Sequence, residues 1–315
     1  MKECVVRHKK NPIITKDDLP FLGQCVFNSG AAIHDDQIVM LLNCWDRQWV
    51  PKFLVARSAD GVNFDISDKT VVTPPMEYPY CPTDGIFDTR ITFLQGYYYI
   101  TYNVSSHLGG RIMLVRTKDF ENFEEMGYIT GVDHRNCVIF PDKIDGHYVR
   151  LERPVGESSG NAGDIYISYS PDLIFWGKTK LLLEKGTRWW ESNKIGPGAP
   201  PLKTEKGWLI IYHGCRAHMN GIMYNAGCML LDLDDPSKII GKMRESLMEP
   251  QEIYEQIGNV PQVIFPTAAI PHGKDDELKI YYGAADSSMC LATASISELV
   301  DRCLKDGPVT YEYRG

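Results

Sequence analysis

The feature that most constrains the fold of this chain is a short turn motif that recurs after apolar, strand-like runs. Each copy has a hydroxyl residue, an aspartate two positions later and an aromatic residue four positions after that. The clear copies are Ser58–Phe64, Thr117–Phe123 and Ser170–Trp176. The hydroxyl and carboxylate side chains can accept hydrogen bonds from nearby backbone amides, and the ring can pack on the strand just completed. The motif therefore predicts a strand followed by a tight turn.

Hairpin signals precede each copy of the motif and continue after the last one. They are Asp35-Asp36, Gln95-Gly96, Asp145-Gly146, Glu205-Lys206-Gly207 and Lys274-Asp275-Asp276. Five units of about four short strands recur at roughly 50 to 70 residues, and the turn motif is degraded in the last two. Because such units bury their faces only against neighbouring units, the period predicts an all-β, five-bladed β-propeller. A β-sandwich is the alternative fold, but it does not explain the period.

We predict a single domain over residues 1–315, with two elements outside the repeat. Residues 1 to about 27 carry few strand signals and are expected to form an N-terminal arm. Near the end, Ser297 can cap a short helix over about 297–306, which stops at Gly307-Pro308. The apolar stripe of this helix predicts a packing face.

Charge and cysteine usage narrow the class of protein. The formal net charge of −8 argues against a nucleic-acid surface. The N-terminal residues lack the apolar core of a signal peptide, and no stretch has the length of a membrane span. Nine cysteines without CxxC spacing predict reduced, buried thiols. We therefore expect a cytoplasmic protein that binds neither nucleic acid nor membrane.

The residues just before the first hairpin of each blade are expected to line the channel of a propeller. Asp88 and Arg90 begin such a strand and would share one side of it if the strand alternates regularly. The chain also brings Arg153, Lys194 and His213 to equivalent blade positions. This cationic cluster needs an anion, and a phosphate dianion suits Arg and Lys donors. An ordinary salt-linked pair at a strand edge is the alternative reading of Asp88 and Arg90.

Sequence motifs of other chemistries are absent. The chain has no HExxH, Walker or dinucleotide-binding motif and no GxSxG elbow. Its eight histidines are scattered, with no close pair at metal-ligand spacing. We therefore expect that no metal or organic cofactor is needed.

Five segments together resemble glycoside hydrolase family 130, which comprises β-mannoside phosphorylases and their hydrolase relatives. In chain order they are Asn28–Ala32, Phe87–Ile91, Phe140–Ile144 with Arg153-Pro154, Lys194–Pro201, and Tyr212–Gly214. The resemblance covers roughly residues 25 to 290, in order along the chain. It implies a five-bladed propeller, in agreement with the fold predicted from the repeat.

The resemblance also implies roles for individual residues. Asp88 matches the general acid of the family. The residues that match its phosphate-binding positions are Arg153, Lys194, His213 and Tyr224, with Arg135 as a looser match. The implied substrate-binding residues are Asn28, Ser29, Arg90, Asn136 and Asp286. Two positions depart from the family pattern, because Thr89 replaces the usual Pro and Asn43 stands where many members have Arg.

The activity implied by the resemblance is inverting phosphorolysis of a β-mannoside, with inorganic phosphate as co-substrate and α-mannose 1-phosphate as product. An inverting hydrolase needs a general base as well as an acid, whereas a phosphorylase has only to hold its nucleophile. One well-placed aspartate and a cationic cluster therefore favour phosphorolysis. The alternatives are a β-mannosidase of the same family and a non-catalytic sugar-binding propeller.

The sequence variants Asn28-Ser29-Gly30 and Phe87-Asp88-Thr89-Arg90 are similar to the branch of the family that acts on β-1,2-mannobiose and β-1,2-oligomannan. Phosphorolysis of β-1,4-mannosyl-glucose or of β-1,4-mannooligosaccharides is the alternative specificity. Members of the family are often homo-oligomers, so the resemblance adds a second copy of the chain to the candidate partners.

Overall fold

The computed structural model describes residues 4–72, 85–107, 109–156, 163–219, 221–272 and 276–309. Within these ranges, 21 strands form five antiparallel sheets that follow one another along the chain. Each sheet is one blade, so the predicted all-β, five-bladed β-propeller is confirmed. No helix in the described ranges is long and apolar enough to cross a membrane.

The blades are numbered in the order in which their innermost strands occur in the chain. These innermost strands are β2 (Gly23–His34), β6 (Gly85–Leu94), β10 (His134–Ile139), β14 (Lys194–Pro197) and β19 (Ile264–Pro271). The second strands are β3 (Gln37–Asp46), β7 (Tyr97–Ser106), β11 (Tyr148–Pro154), β16 (Gly207–His218) and β20 (Glu277–Ala284).

The outer half of each blade has the same order. The third strands are β4 (Pro51–Ser58), β8 (Gly109–Thr117), β12 (Ile165–Ser170), β17 (Gly221–Leu231) and β21 (Ser288–Ser295). The outermost strands are β5 (Asp65–Val72), β9 (Phe123–Tyr128), β13 (Gly177–Leu183), β18 (Ile239–Lys242) and β1 (Val5–Arg7). Blade 4 has one additional strand, β15 (Leu202–Thr204), which pairs with β16.

The recurring turn motif has the predicted hydrogen bonds. Asp60, Asp119 and Asp172 each accept from the backbone amides two and three residues later, at 2.8–2.9 Å. In the fourth unit Asp232 keeps such bonds, whereas in the fifth unit Ser295 begins a helix instead. The fifth hairpin signal falls at residues 274–276, of which 274 and 275 lie outside the described ranges.

The core consists of five apolar clusters, each shared by two successive blades, including one between blades 5 and 1. The blades therefore form a ring in the order 1-2-3-4-5. Representative buried residues of the five clusters are Leu41, Ile112, Trp208, Ile264 and Ile38. Apolar faces that only a neighbouring blade can cover explain why the sequence repeats.

The predicted N-terminal arm is wrong in part, because its first described residues belong to a blade. Val5–Arg7 pairs with β21 as the outermost strand of blade 5, so the first and last described strands lie in one sheet. The sequence gives little sign of this strand, since only three residues form it and Val6 is exposed. Strand β2 also begins at Gly23, before the predicted arm ends.

Two α-helices occur in the described ranges, α1 (Ile253–Gln256) and α2 (Ile296–Asp306), with 3₁₀ turns at Lys16–Asp18 and Trp189–Glu191. The predicted terminal helix is confirmed, but its N-cap is Ser295 rather than Ser297. Ser295 accepts a hydrogen bond from the Glu298 amide at 3.0 Å. The predicted buried thiols are also confirmed, since the eight described cysteines are free and buried; Cys81 lies outside the described ranges.

A partly buried ion pair joins the first strand to the rest of the ring. Arg7 donates from Nε to Glu255 Oε1 at 2.8 Å, and the Glu255 side chain is fully buried. Tyr282 donates to the same carboxylate at 2.9 Å.

We expect Arg7→Met to lower the free energy of unfolding by about 3 kcal/mol, because it leaves the buried Glu255 carboxylate without its cation. Urea unfolding followed by circular dichroism measures this difference. The matched control is Arg116→Met, which breaks an exposed pair with Glu124 and should change stability little. Equal effects of the two substitutions would contradict a role of this pair in ring closure.

Candidate active site

A cavity of about 780 Å³ is lined by residues from the innermost strands of all five blades. Eight of the residues singled out from the sequence lie on its wall: Asn28, Asp88, Arg135, Asn136, Arg153, Lys194, Tyr224 and Asp286. Ser29, Arg90 and His213 are buried behind the wall. The structure thus brings together side chains that are far apart in the chain.

In blades 1, 2 and 3, a β-bulge directs a polar side chain into the cavity. In each blade a β-bulge interrupts the pairing of the innermost strand with the second strand. The residues at the bulges are Asn28, Asp88 and Asn136, with φ values of 46°, 62° and 53°. A bulge changes the direction of a side chain, and Asn and Asp tolerate this left-handed conformation better than most residues. The three side chains consequently converge.

The Asp88 carboxyl group is held by three side-chain amides. Asn28 Nδ2 donates to Oδ1 at 2.8 Å, while Asn103 and Asn136 donate to Oδ2 at 2.8 and 3.1 Å. Asn103 also accepts from the Asn136 backbone amide at 3.0 Å, which links blades 2 and 3. These contacts fix the carboxyl group with neutral donors, and no described cation lies within 4 Å of it.

The sequence analysis did not identify Asn103 as a site residue. Asn103 lies on β7 and pairs with Phe87 of β6, and the same register in blade 1 pairs Asn43 of β3 with Phe27 of β2. An alignment of the repeat units would have shown this shared asparagine position.

A second carboxyl group shares a donor with Asp88. Asn28 Nδ2 also lies 3.2 Å from Asp286 Oδ1, so one amide bridges the two carboxyl groups. Burial, followed by repulsion from Asp88, raises the pKa of Asp286 to about 7, although Asn28 and Lys194 oppose the rise. Gly283 makes room for the bridge, because a Cβ atom there would lie 1.9 Å from Asn28 Oδ1.

Part of the cavity wall is cationic. Arg135, Arg153 and Lys194 line the cavity, and none has a carboxylate within 4 Å among the described residues. Burial lowers the pKa of Arg153 and of Lys194, and the neighbouring cations lower them further. Lys194 Nζ lies 4.7 Å from the centre of the Tyr224 ring. Each of these shifts favours loss of positive charge, which a bound anion would reverse.

His213 supports the cationic wall from behind. Its Nε2 lies 3.0 Å from Arg153 Nη1, and burial, with Arg153 next, holds the pKa of His213 well below its ordinary value. A neutral imidazole can accept the Arg153 N–H at Nε2. Gly196 allows this close approach, since a Cβ atom there would lie 2.6 Å from His213 Cε1. His213 therefore orients Arg153 in this structure, and its predicted contact with phosphate stays a prediction.

The expectation that Asp88 and Arg90 share one side of the strand is wrong, because the bulge between them breaks the alternation. Arg90 donates from Nε to Gly198 O in blade 4 and from Nη1 to Thr89 O at 3.1 Å. Its guanidinium lies 5.3 Å from the centre of the Phe265 ring, and burial lowers its pKa to about 10. Arg90 thus braces the channel in this structure rather than lining the cavity.

Ser29 and Thr89 also make contacts within the fold. Ser29 donates to Phe27 O at 3.2 Å and accepts from the Asn43 amide at 3.0 Å. Thr89 accepts from the Gly30 amide at 2.7 Å and donates to Leu41 O at 3.1 Å, which joins blades 1 and 2. A proline, which has no hydroxyl group, could not make this link. The substrate-binding role implied for Ser29 stays a prediction.

The cavity combines a fixed carboxyl group, a second carboxyl group of raised pKa and three cations without carboxylate partners. Such a set can donate a proton at one place and hold an anion at another. Among the described residues, no group of three His, Cys, Asp or Glu side chains is arranged to hold a metal ion.

Known proteins resemble this chain over most of its length. A protein-family model described as beta-1,4-mannooligosaccharide phosphorylase matches residues 6–305. The beta-1,2-mannobiose phosphorylase of Listeria innocua is 39% identical over 246 residues, which are 78% of this chain and 67% of that protein. The beta-1,4-mannooligosaccharide phosphorylase of Ruminococcus albus is 31% identical over 309 residues, which are 95% of this chain and 91% of that protein.

The fold can be compared with a solved structure as well. The Listeria innocua beta-1,2-mannobiose phosphorylase in complex with beta-1,2-mannobiose superposes with a TM-score of 0.87 at 30% identity. The match covers 96% of this chain and 99% of that one, so it includes every blade and the cavity.

We expect the stability of the protein to report the raised pKa of Asp286. A carboxyl group with a pKa of about 4 in the unfolded chain and about 7 in the folded one lowers stability progressively as the pH rises between those values. Asp286→Asn removes this effect, so the stability of the variant relative to wild type should increase from pH 5 to pH 8. Urea unfolding at both pH values measures the change.

The matched control for this measurement is Asp142→Asn, which alters an exposed carboxylate paired with Lys203. Its stability relative to wild type should vary far less between pH 5 and pH 8. An Asp286→Asn variant whose relative stability is the same at both pH values would contradict the electrostatic account of this group.

Proposed function

Because this chain belongs to glycoside hydrolase family 130, we propose that it cleaves β-mannosides with inorganic phosphate and releases α-mannose 1-phosphate. One observation carries the proposal: the cavity that holds the amide-bound Asp88 also holds Arg135, Arg153 and Lys194 without carboxylate partners among the described residues. A hydrolase would need a base to activate water, whereas phosphate is already a nucleophile and needs cations to hold it.

Arg153 and Lys194 are the proposed phosphate clamp, and Tyr224 and Arg135, which also line the cavity, are proposed to complete it. The contact at 3.0 Å with His213 Nε2 orients the Arg153 guanidinium. It uses one N–H group of Arg153, and the other N–H groups are proposed to bind phosphate. Placed against the anomeric carbon, phosphate forms a bond to it while the clamp stabilises the charge in the transition state.

Asp88 is the proposed general acid. As the family resemblance implies, its proton passes through a hydroxyl group of the mannosyl unit to the glycosidic oxygen as the bond between that oxygen and the anomeric carbon breaks, so the leaving sugar departs neutral. Attack by phosphate from the opposite face inverts the anomeric carbon from β to α. The proposed reaction balances without a metal or an organic cofactor.

Asn28, Asn136 and Asp286 are proposed to hold the mannosyl unit beside Asp88. Asn28 Oδ1 and Asn136 Oδ1 are buried and have no hydrogen-bond donor among the described residues. Buried acceptors without partners cost free energy, and sugar hydroxyl groups would supply the missing donors. A protonated Asp286 could also donate to a hydroxyl group, which its raised pKa favours near neutral pH.

We infer that the preferred substrate is β-1,2-mannobiose or a β-1,2-oligomannan. The 39% identity to a β-1,2-mannobiose phosphorylase supports this choice, as do the variants at Ser29 and Thr89. The alternative is a β-1,4-mannoside, because a β-1,4-mannooligosaccharide phosphorylase aligns over 95% of this chain. A cytoplasmic location is part of the proposal, since cells make and use sugar phosphates there.

The direct test is to incubate the protein with β-1,2- and β-1,4-mannobiose, with and without phosphate, and to analyse the products. We expect α-mannose 1-phosphate from one linkage, and only when phosphate is present. Release of mannose at an equal rate without phosphate would replace the proposal with a hydrolase. Binding of mannobiose with no product under either condition would replace it with a sugar-binding propeller.

We expect Lys194→Ala to raise the KM for phosphate at least tenfold while changing the KM for mannobiose less than threefold, since one clamp cation is worth about 1.5 kcal/mol or more. Steady-state phosphorolysis with each substrate varied in turn measures both constants. Lys203→Ala, which removes an exposed lysine paired with Asp142, is the control and should leave both unchanged. Equal rises in the two constants would contradict the clamp.

A further inference from the structure

An aromatic surface forms the part of the cavity wall that belongs to blade 1. Phe27, Trp45 and Trp49 line the cavity here. The rings of Phe27 and Trp45 are 5.7 Å apart, and those of Trp45 and Trp49 are 5.5 Å apart, both edge to face. We call these three residues the aromatic wall. The mechanism proposed above gives it no role.

Trp49 has two features that packing alone does not explain. Its φ is 62°, a left-handed conformation that is strained for a bulky side chain, and the residue is 52% exposed. A strained backbone together with an exposed indole costs free energy in the free protein, and such sites are typical of ligand-binding surfaces.

The turn that carries Trp49 is held rigidly. Asp46 accepts from the Gln48 and Val50 amides at 2.9 and 3.0 Å and from Lys52 Nζ at 2.6 Å. The Trp49 amide donates to Asp46 O at 2.9 Å. The backbone that carries the indole is therefore ordered before any ligand arrives, which reduces the entropy lost on binding.

The place of the aromatic wall in the ring indicates what it binds. The cations lie in blades 3 and 4, which are the two blades that do not adjoin blade 1. Inverting displacement requires the nucleophile and the leaving group on opposite faces of the anomeric carbon. With phosphate among the cations, the leaving group points away from blades 3 and 4, and the aromatic wall lies on that side.

We propose, on the basis of the function proposed above, that Trp45 and Trp49 bind the departing sugar of the β-mannoside. The flat C–H face of a pyranose packs well against an indole, which combines a large apolar surface with a polar edge. Trp45 Nε1 is buried and has no acceptor among the described residues, so it is free to donate to a hydroxyl group of that sugar. The wall would then select the acceptor sugar rather than the mannosyl donor.

The test is a binding measurement that needs no turnover. Titration calorimetry in phosphate-free buffer gives the Kd values of β-1,2-mannobiose, β-1,4-mannobiose and α-mannose 1-phosphate for wild type and variants. We expect Trp49→Ala to weaken the binding of the mannobiose that wild type prefers about tenfold. The Kd of α-mannose 1-phosphate, which lacks the departing sugar, should change less than twofold.

Two further variants refine the test. Trp45→Phe keeps an aromatic ring but removes the N–H donor. It should weaken the binding of mannobiose about fivefold and leave the Kd of α-mannose 1-phosphate unchanged. Trp189→Ala is the matched control, since Trp189 is also 52% exposed but does not line the cavity. It should leave all three Kd values unchanged.

The outcomes separate this inference from the function on which it rests. Unchanged mannobiose binding in Trp49→Ala, or equal weakening of mannobiose and α-mannose 1-phosphate, would overturn the role of the aromatic wall. Wild type that binds mannobiose but forms no α-mannose 1-phosphate with phosphate would overturn the proposed function, while the Kd values would still decide whether the wall binds the second sugar.

Discussion

The free-energy cost of burying positive charge without a partner governs the chemistry of this protein. Arg153 and Lys194 both line the cavity, and burial lowers the pKa of each, which favours the neutral form. His213 behind them stays neutral for the same reason. Replacing such groups with apolar side chains would stabilise a protein that had no use for them. Their presence therefore indicates a ligand that carries the missing negative charge.

The propeller supplies the rigidity that this arrangement requires. Apolar clusters between successive blades hold the ring together, and threonine hydroxyl groups donate hydrogen bonds to backbone carbonyls across some of the same boundaries. Thr267 donates to Ser29 O at 2.6 Å between blades 5 and 1, and Thr101 donates to Cys137 O at 2.6 Å between blades 2 and 3. Because the apolar cluster between blades 3 and 4 joins the two blades that carry Arg153 and Lys194, repulsion between these cations does not easily separate them. Preorganised charge of this kind is the main source of electrostatic catalysis.

The fold could be predicted from patterns among neighbouring residues. The features that the sequence did not predict depend on contacts between residues that are far apart in the chain. The turn at Asp60 involves only neighbouring residues, so its hydrogen bonds follow from the sequence. The bulge at Asp88 depends on pairing with another strand, and regular alternation therefore placed Arg90 wrongly. Asn103 and Gly283 matter only because the ring brings them to Asp88 and Asn28, and a single sequence does not display such proximity.

The most direct test of the central claim is a crystal structure of the protein with bound phosphate. The account predicts the ion within hydrogen-bond distance of Arg153 and Lys194, on the side of the cavity away from Trp49. Phosphate bound elsewhere, with Arg153 and Lys194 paired to carboxylates instead, would contradict it.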